Sequence, residues 1–234
     1  MSAGRRAEIE AGLDAVRRRV EDACAVAGRS PDEVTLVVVT KFFPASDVRL
    51  LAELGVAHVG ENRHQEAVEK AAACADLDLH WHFIGALQSN KAAAVAAYAD
   101  TVHSLDRVKL VTGLSRGALD RGRDLDVLVQ VSLDPPGAQG RSGAPAEEVP
   151  ALVDRVLEAD GLVLRGVMGV APLGGDPDEA FARLARTSAE VQVPAPTASW
   201  ISAGMSGDLE TAVRHGATHL RIGSAVLGAR PAVA

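Results

Sequence analysis

Apolar residues at Ile9, Leu13, Val16 and Val20 fall 4, 3 and 4 positions apart. That spacing lines up side chains on one face of a helix, so the pattern predicts an amphipathic helix over residues 5–27. After Ser30-Pro31 the period changes. Residues 34–40 (VTLVVVT) form a short, almost unbroken apolar run, and comparable runs recur at 58–60, 81–84, 101–105, 127–133, 163–170, 199–203 and 219–222. Several are apolar on both faces, as parallel strands covered by helices are. Stretches of helical period separate them, at 46–54, 62–74, 91–97, 106–119, 146–159, 177–191 and 206–215. Ser46, Asn62, Asp106 and Ser206 are placed to cap four of these helices, and Gly55 and Gly216 to stop two.

About eight strand–helix alternations in 234 residues read as a single (β/α)8 TIM barrel with an extra N-terminal helix, one domain over residues 1–234. An open doubly wound sheet is the alternative. It is disfavoured because no GxGxxG turn follows the first strand and no Walker loop is found. Residues 134–145 (DPPGAQGRSGAP) make a long loop after the fifth strand, expected to be the most flexible stretch and to lie over the functional face.

Composition narrows the function. Hydrophobic residues make up 47% and aromatic residues 3%, so a core of Val, Leu, Ile and Ala is expected and disorder is not. A net charge of −7 argues against broad binding of nucleic acid or an anionic membrane. No apolar run approaches the ~20 residues of a membrane span. The charged N-terminus lacks an apolar secretion core. Cys24 and Cys74 lie far apart with no CxxC pairing and read as buried free thiols. The expectation is a cytoplasmic monomer. Of the 24 cations only Lys41, Lys70, Lys91 and Lys109 are lysines. Where a charge alone is needed this chain uses Arg, so a lysine in a special place points to amine chemistry.

Lys41 ends the first strand, where barrel side chains face the functional mouth. Beside Phe42 and Phe43 it would be partly desolvated, which lowers an amine's pKa from about 10.4 and favours the neutral form that attacks carbonyls. An ordinary surface lysine is the plain alternative. Ser206-Gly207-Asp208 opens the helix after the seventh strand, a place that suits phosphate. Plain capping by Ser206 explains it equally, and Asp208 repels an anion unless it turns away. Gly223-Ser224 is a second Gly-plus-hydroxyl turn, after the eighth strand; barrels commonly hold phosphate at these two turns. Arg221 shares a strand face with Gly223. It points into the mouth, snorkels to solvent or pairs with a barrel carboxylate.

Asn62 and His82 sit near strand ends and either line the pocket or cap a helix. His80 and His82 share a face, but no acid or cysteine at ligand spacing joins them, so no metal site is expected. Arg17-Arg18-Arg19 reads as a solvated helix face rather than a docking patch. An imine-forming lysine, a phosphate site across the mouth and an arginine between them suit a ligand with both an aldehyde and a phosphate. Pyridoxal 5′-phosphate (PLP) has both.

The motifs Val39-Thr40-Lys41, Gly60-Glu61-Asn62, His82-Phe83-Ile84-Gly85, Leu87-Gln88-Ser89-Asn90-Lys91, Arg165-Gly166-Val167-Met168, Gly204-Met205-Ser206-Gly207-Asp208 and Arg221-Ile222-Gly223-Ser224 occur in that order. Together they make the chain resemble the pyridoxal phosphate homeostasis protein family, over about residues 34–230. The resemblance implies a barrel like the N-terminal domain of alanine racemase and an internal aldimine, a Schiff base, on Lys41. It implies phosphate contacts from Ser206, Gly223 and Ser224, and Arg221 facing the pyridine nitrogen. Asn62, His82 and Met205 complete the expected cofactor set. It further implies an intracellular carrier of PLP without established catalysis, with PLP-dependent apoenzymes as recipients. Two positions depart from the family pattern. Many relatives have lysine where Phe43 stands, and relatives often have it where Arg141 stands, so a transfer route through secondary lysines lacks them here.

The alternative on the same residues is a PLP-dependent amino-acid racemase. Racemisation needs a second base on the opposite face of the cofactor, which alanine racemase takes from a second domain. This chain ends at Ala234, just after the eighth strand, and its single tyrosine, Tyr98, falls on a helix away from the mouth. A Schiff-base aldolase using Lys41 on a phosphorylated sugar is a second rival, and a visible cofactor absorbance would exclude it. An interaction protein finds no long exposed apolar stripe in its favour.

Overall fold

The computed structural model describes residues 3–135 and 142–229. Helix α1 (Ala3–Ala27) is followed by β1 (Thr35–Val39), α2 (Ala45–Glu53), β2 (His58–Glu61), α3 (His64–Ala73), β3 (His80–Phe83), α4 (Ala92–Ala96), β4 (Thr101–Leu105) and α5 (Val108–Arg121). Then come β5 (Leu125–Gln130), α6 (Val149–Leu157), β6 (Leu162–Met168), α7 (Pro177–Val191), β7 (Trp200–Ser202), α8 (Leu209–Arg214), β8 (His219–Ile222) and α9 (Ser224–Leu227). The strands are parallel, pair in chain order and close into a barrel, with β8 returning to β1 from Thr35↔His219 to Val38↔Ile222. The apolar runs form the strands because each is covered on its outer face by the helix that follows it.

Helix α1 lies across α8 and α9. Its stripe of Ile9, Leu13, Val16 and Val20 is buried, as the spacing predicts. Removing one such side chain, as in Leu13→Ala, costs about 2–5 kcal/mol. Polar contacts reinforce the docking. Arg5 bonds Asp47 Oδ2 at 2.6 Å and the Leu227 carbonyl at 3.1 Å. Arg17 reaches the Leu54 carbonyl at 3.2 Å, and Arg19 bonds Glu210 Oε1 at 2.8 Å. The arginine run is therefore more than a solvated face, since two of its members fasten α1 to the barrel.

Gly55 and Gly216 end helices with φ of 79° and 87°, the left-handed geometry expected of a stop. The four expected caps are displaced. Pro44, Arg63, Arg107 and Asp208 occupy the cap positions, and none bonds the helix through its side chain. Helix α2 starts earlier than expected, whereas the turns before α3, α5 and α8 run one or two residues longer, which frees Asn62 and Ser206 for the mouth. Helix α9 has no counterpart in the sequence pattern, because four residues are too few to show a period. Cys24 and Cys74 are buried free thiols. No helix among the described residues is long and apolar enough to cross a membrane.

Candidate functional site

At the C-terminal ends of the strands lies a cavity of about 500 Å³. Lys41, half-buried, lines it just beyond the end of β1. The turn that aims Lys41 is strained. Phe42 has φ of 70°, a left-handed conformation uncommon for an aromatic residue. Helix α3 holds it there: the Phe42 N–H donates to Glu66 Oε2 at 2.9 Å, and the Arg63 guanidinium sits 5.0 Å from the Phe42 ring centre.

Beneath the turn, buried Lys70 donates to the Thr40 carbonyl and to Glu61 Oε1, each at 2.7 Å. Thr40 Oγ1 donates to the same Glu61 oxygen at 2.6 Å. Burial pushes the Glu61 carboxyl up, and the bonds from Lys70 and Thr40 pull it back. Losing one partner of such a buried pair costs about 3–5 kcal/mol. The second special lysine is thus structural: it pins the backbone that presents the first.

Across the mouth, Met205, Ser206 and Gly207 line the cavity from the turn before α8, and Gly223 and Ser224 from the start of α9. Asp208 turns back to accept from the Met205 N–H at 2.6 Å, and Arg19 grips the Ser206 carbonyl at 3.0 Å. Helix α1 therefore braces this turn. Arg221 forms the floor. It neither snorkels nor pairs with a carboxylate: it donates to Ser202 Oγ at 2.6 Å and to the Gly169 carbonyl at 2.9 Å. Burial lowers its pKa to about 10, which leaves it a cation at neutral pH.

Asn62 stands on the wall with Ile84 and Gly85. Its Oδ1 is buried and has no hydrogen-bond partner among the described residues. Gly85 backs onto Asn62, and a Cβ there would collide with the Asn62 carbonyl oxygen, so only glycine permits the approach. Gln130 Nε2 donates to the Ser142 carbonyl at 2.8 Å, tying the far end of the β5 loop to the mouth. Asp134 and Ser142 line the cavity. Residues 136–141 of the loop expected to be most flexible, Arg141 among them, lie outside the described residues. Phe43 is buried in the wall under the Arg5 guanidinium, 5.5 Å from its ring centre.

His82 is a correction. It does not line the cavity; it is buried inside the barrel, one level below. His82 Nε2 lies 2.9 Å from His58 Nδ1, and its Nδ1 lies 2.8 Å from His103 Nε2. His103 Nδ1 continues to Ser202 Oγ at 2.8 Å. A guanidinium can only donate, so Ser202 Oγ accepts from Arg221; toward His103 Nδ1 the hydroxyl donates or accepts according to that ring's tautomer, and the chain of bonds links Arg221 to His58. With His80 and His219, five of the seven histidines gather here. Burial holds His82 and His103 well below the ordinary imidazole pKa and His219 at about 3, with neighbouring charge adding to the effect.

Residues 12–231 match the family described as alanine racemase, N-terminal domain. The pyridoxal phosphate homeostasis protein of Mycobacterium tuberculosis (strain ATCC 25618 / H37Rv) is 44% identical over 246 residues, covering 97% of this chain and 94% of the relative. The chain belongs to the pyridoxal phosphate homeostasis protein family. Among solved structures, a protein of unknown function from Bifidobacterium adolescentis superposes with a TM-score of 0.87 at 29% identity, over 97% of both chains. PipY of Synechococcus elongatus PCC7942, solved with PLP bound, gives 0.81 at 34% identity, over 94% of this chain and 100% of PipY.

In this homeostasis-protein barrel, seven of the eight expected site residues meet in one cavity: Lys41, Asn62, Met205, Ser206, Arg221, Gly223 and Ser224. Sequence reasoning missed Glu61 and Lys70 as the support of Lys41. The scarcity of lysine was the available signal, and it applied to Lys70 as much as to Lys41. It also missed Ser202, which nothing in the local pattern distinguishes from a strand serine.

Proposed function

We propose that the protein binds PLP in the mouth cavity and carries it covalently on Lys41 for PLP homeostasis. The observation behind this reading is the convergence of Lys41, the two turns after β7 and β8, and Arg221 on one cavity of about 500 Å³. The relation to PipY supports it. The residues present fit the cofactor, whose aldehyde is reactive toward amines. Lys41 is the one amine among the described lining residues. Ser206, Gly207, Gly223 and Ser224 offer hydroxyl and backbone donors for a phosphate. The unpartnered Asn62 Oδ1 accepts from a ligand hydroxyl or ring substituent. Arg221 supplies a fixed positive charge beneath.

The described ionisable residues lining the cavity are Lys41, Asp134 and Arg221. No histidine or tyrosine faces Lys41 among them as a second base, which supports a carrier over a racemase. Apoenzymes that use PLP would be the recipients, with the protein acting as a cytoplasmic monomer. Its most exposed apolar side chains, Val26, Leu173 and Val193, lie far apart in the chain, Val26 on α1 and the other two outside helices and strands, in keeping with a monomer. Borohydride reduction of the PLP-loaded protein, followed by peptide mass spectrometry, should place a pyridoxyl group on Lys41. A label on another residue, or none, refutes the assignment. Conversion of L-alanine to D-alanine at about 1 per second or faster would replace the carrier by an enzyme.

A further inference from the structure

Away from the mouth, at the N-terminal ends of the strands, His58 and His80 are register partners that open β2 and β3. His82 follows His80 on the same inward face. The three rings each offer one nitrogen within 4.8 Å of the others, and His58 Nδ1 and His82 Nε2 are 2.9 Å apart. We propose that these three imidazoles form a binding site for a transition-metal ion of the Zn2+ class.

The donor set carries the choice of ion. Three neutral imidazoles suit Zn2+, Co2+ or Ni2+ and not Mg2+ or Ca2+, which take oxygen. Zinc–nitrogen bonds of about 2.0–2.1 Å place tetrahedral ligand nitrogens roughly 3.3 Å apart. The His58 and His82 nitrogens are 2.9 Å apart and all three lie within 4.8 Å, so the cluster is already of the size a single ion spans. Metal-bound histidines need a partner on the other ring nitrogen to fix their orientation. His82 has one in His103 Nε2, at 2.8 Å, itself held by Ser202. Thr101 Oγ1 orients the His80 ring from 2.8 Å.

Access also fits. His80 lines a second cavity of about 1140 Å³, whose wall includes Asp100, paired with Arg123, and Asp126, paired with Arg165. An ion would reach His80 through that opening. Three nitrogen ligands leave a fourth position for solvent, the pattern of open rather than closed zinc sites. A metal on His82 Nε2 leaves that ring's proton on Nδ1. His82 then donates to His103, and His103 to Ser202, whose oxygen also accepts from Arg221, which fixes the direction of the chain.

The test uses chelator-treated full-length protein, with and without PLP. Zn2+ is titrated against a chromophoric chelator, and Co2+ is followed by its visible d–d absorption. One equivalent should bind with a Kd below about 1 μM in both forms, and Co2+ should give the intense spectrum of tetrahedral coordination. His58→Gln and His80→Gln should each weaken Zn2+ at least about tenfold. His215→Gln, at a residue that pairs with Asp178 elsewhere, should leave binding unchanged. Failure of the wild type to bind one equivalent, or binding that survives both substitutions, overturns the site. If a variant does not fold by circular dichroism, the wild-type Co2+ spectrum decides, and an octahedral, oxygen-type spectrum overturns it.

Discussion

The two halves of the barrel interior are polar in different ways. At the mouth, Lys41, Asn62 and Ser206 sit in turns beyond the last paired residue of a strand, and Ser224 opens α9, around an open cavity. One level down, His58, His80, His82, His103 and Ser202 occupy strand positions and bond mainly to one another. A turn residue can keep an unmet hydrogen bond for a ligand, as Asn62 does. Inside the barrel the imidazoles and the Ser202 hydroxyl satisfy one another, which avoids the roughly 1–3 kcal/mol that an unpaired buried polar group costs. The mouth is therefore poised for an incoming molecule, and the lower half is closed on itself through a chain that ends on Arg221. Arg221 belongs to both: its partners are strand groups, and its exposed edge lines the cavity.

This contrast breaks most visibly at the two special lysines. Lys41→Ala should abolish covalent PLP and its visible absorbance while changing stability by less than about 1 kcal/mol. A cooperative loss of fold in that variant would make the mouth structural. Lys70→Met should do the reverse. Urea unfolding should show a loss of about 3–5 kcal/mol, because Glu61 is left buried without its partner, whereas the folded fraction should still be labelled on Lys41.

Acid probes the lower half through its imidazoles. His219 titrates near 3 in the folded protein against about 6.5 in the unfolded chain, and burial holds His82 and His103 well below 6.5 as well. Between those values the unfolded chain binds more protons. Their contribution is thus fully present above about pH 6.5 and is lost as the pH falls toward 3. From His219 alone the loss at pH 5 is about 2 kcal/mol. Urea midpoints of chelator-treated protein at pH 7.5 and pH 5 measure it, and equal midpoints would show that the imidazoles are not held neutral.

The smallest effect falls on the phosphate turns. One charge-assisted bond lost in Ser206→Ala or Ser224→Ala, about 1.5–3 kcal/mol, should weaken PLP roughly tenfold or more and leave pyridoxal nearly unchanged. Isothermal titration with both ligands checks it. Equal losses for the two would remove the phosphate from these turns.

Much of this arrangement is legible in the chain alone. The strands are legible because an apolar run between helical periods has few other uses, and β4 and β8 match the sequence bounds residue for residue. Lys41 is legible from its place after VTLVVVT, and Arg221 from its two-residue offset to Gly223. Asn62 and Ser206 read equally as caps, because capping chemistry and ligand chemistry use the same residue types. Only the extra residues in the turns separate the two roles.

The sequence by itself determined which segments become strands and which side of each strand a residue occupies, since a period of two is a local property of the chain. It thereby set His80 beside His82 and Arg221 beside Gly223. What it could not determine is what those side chains meet. That depends on barrel register: His58 stands opposite His80, Gly60 opposite His82, and Ser202 opposite His219. With glycine as its register neighbour, His82 has room to lean inward and join His58 and His103, which takes it out of the mouth. Likewise Lys70 meets Glu61 only because α3 folds back over the outer face of β2. Neighbours across strands and layers lie tens of residues apart in the chain, and closure of the barrel alone brings them within hydrogen-bonding distance.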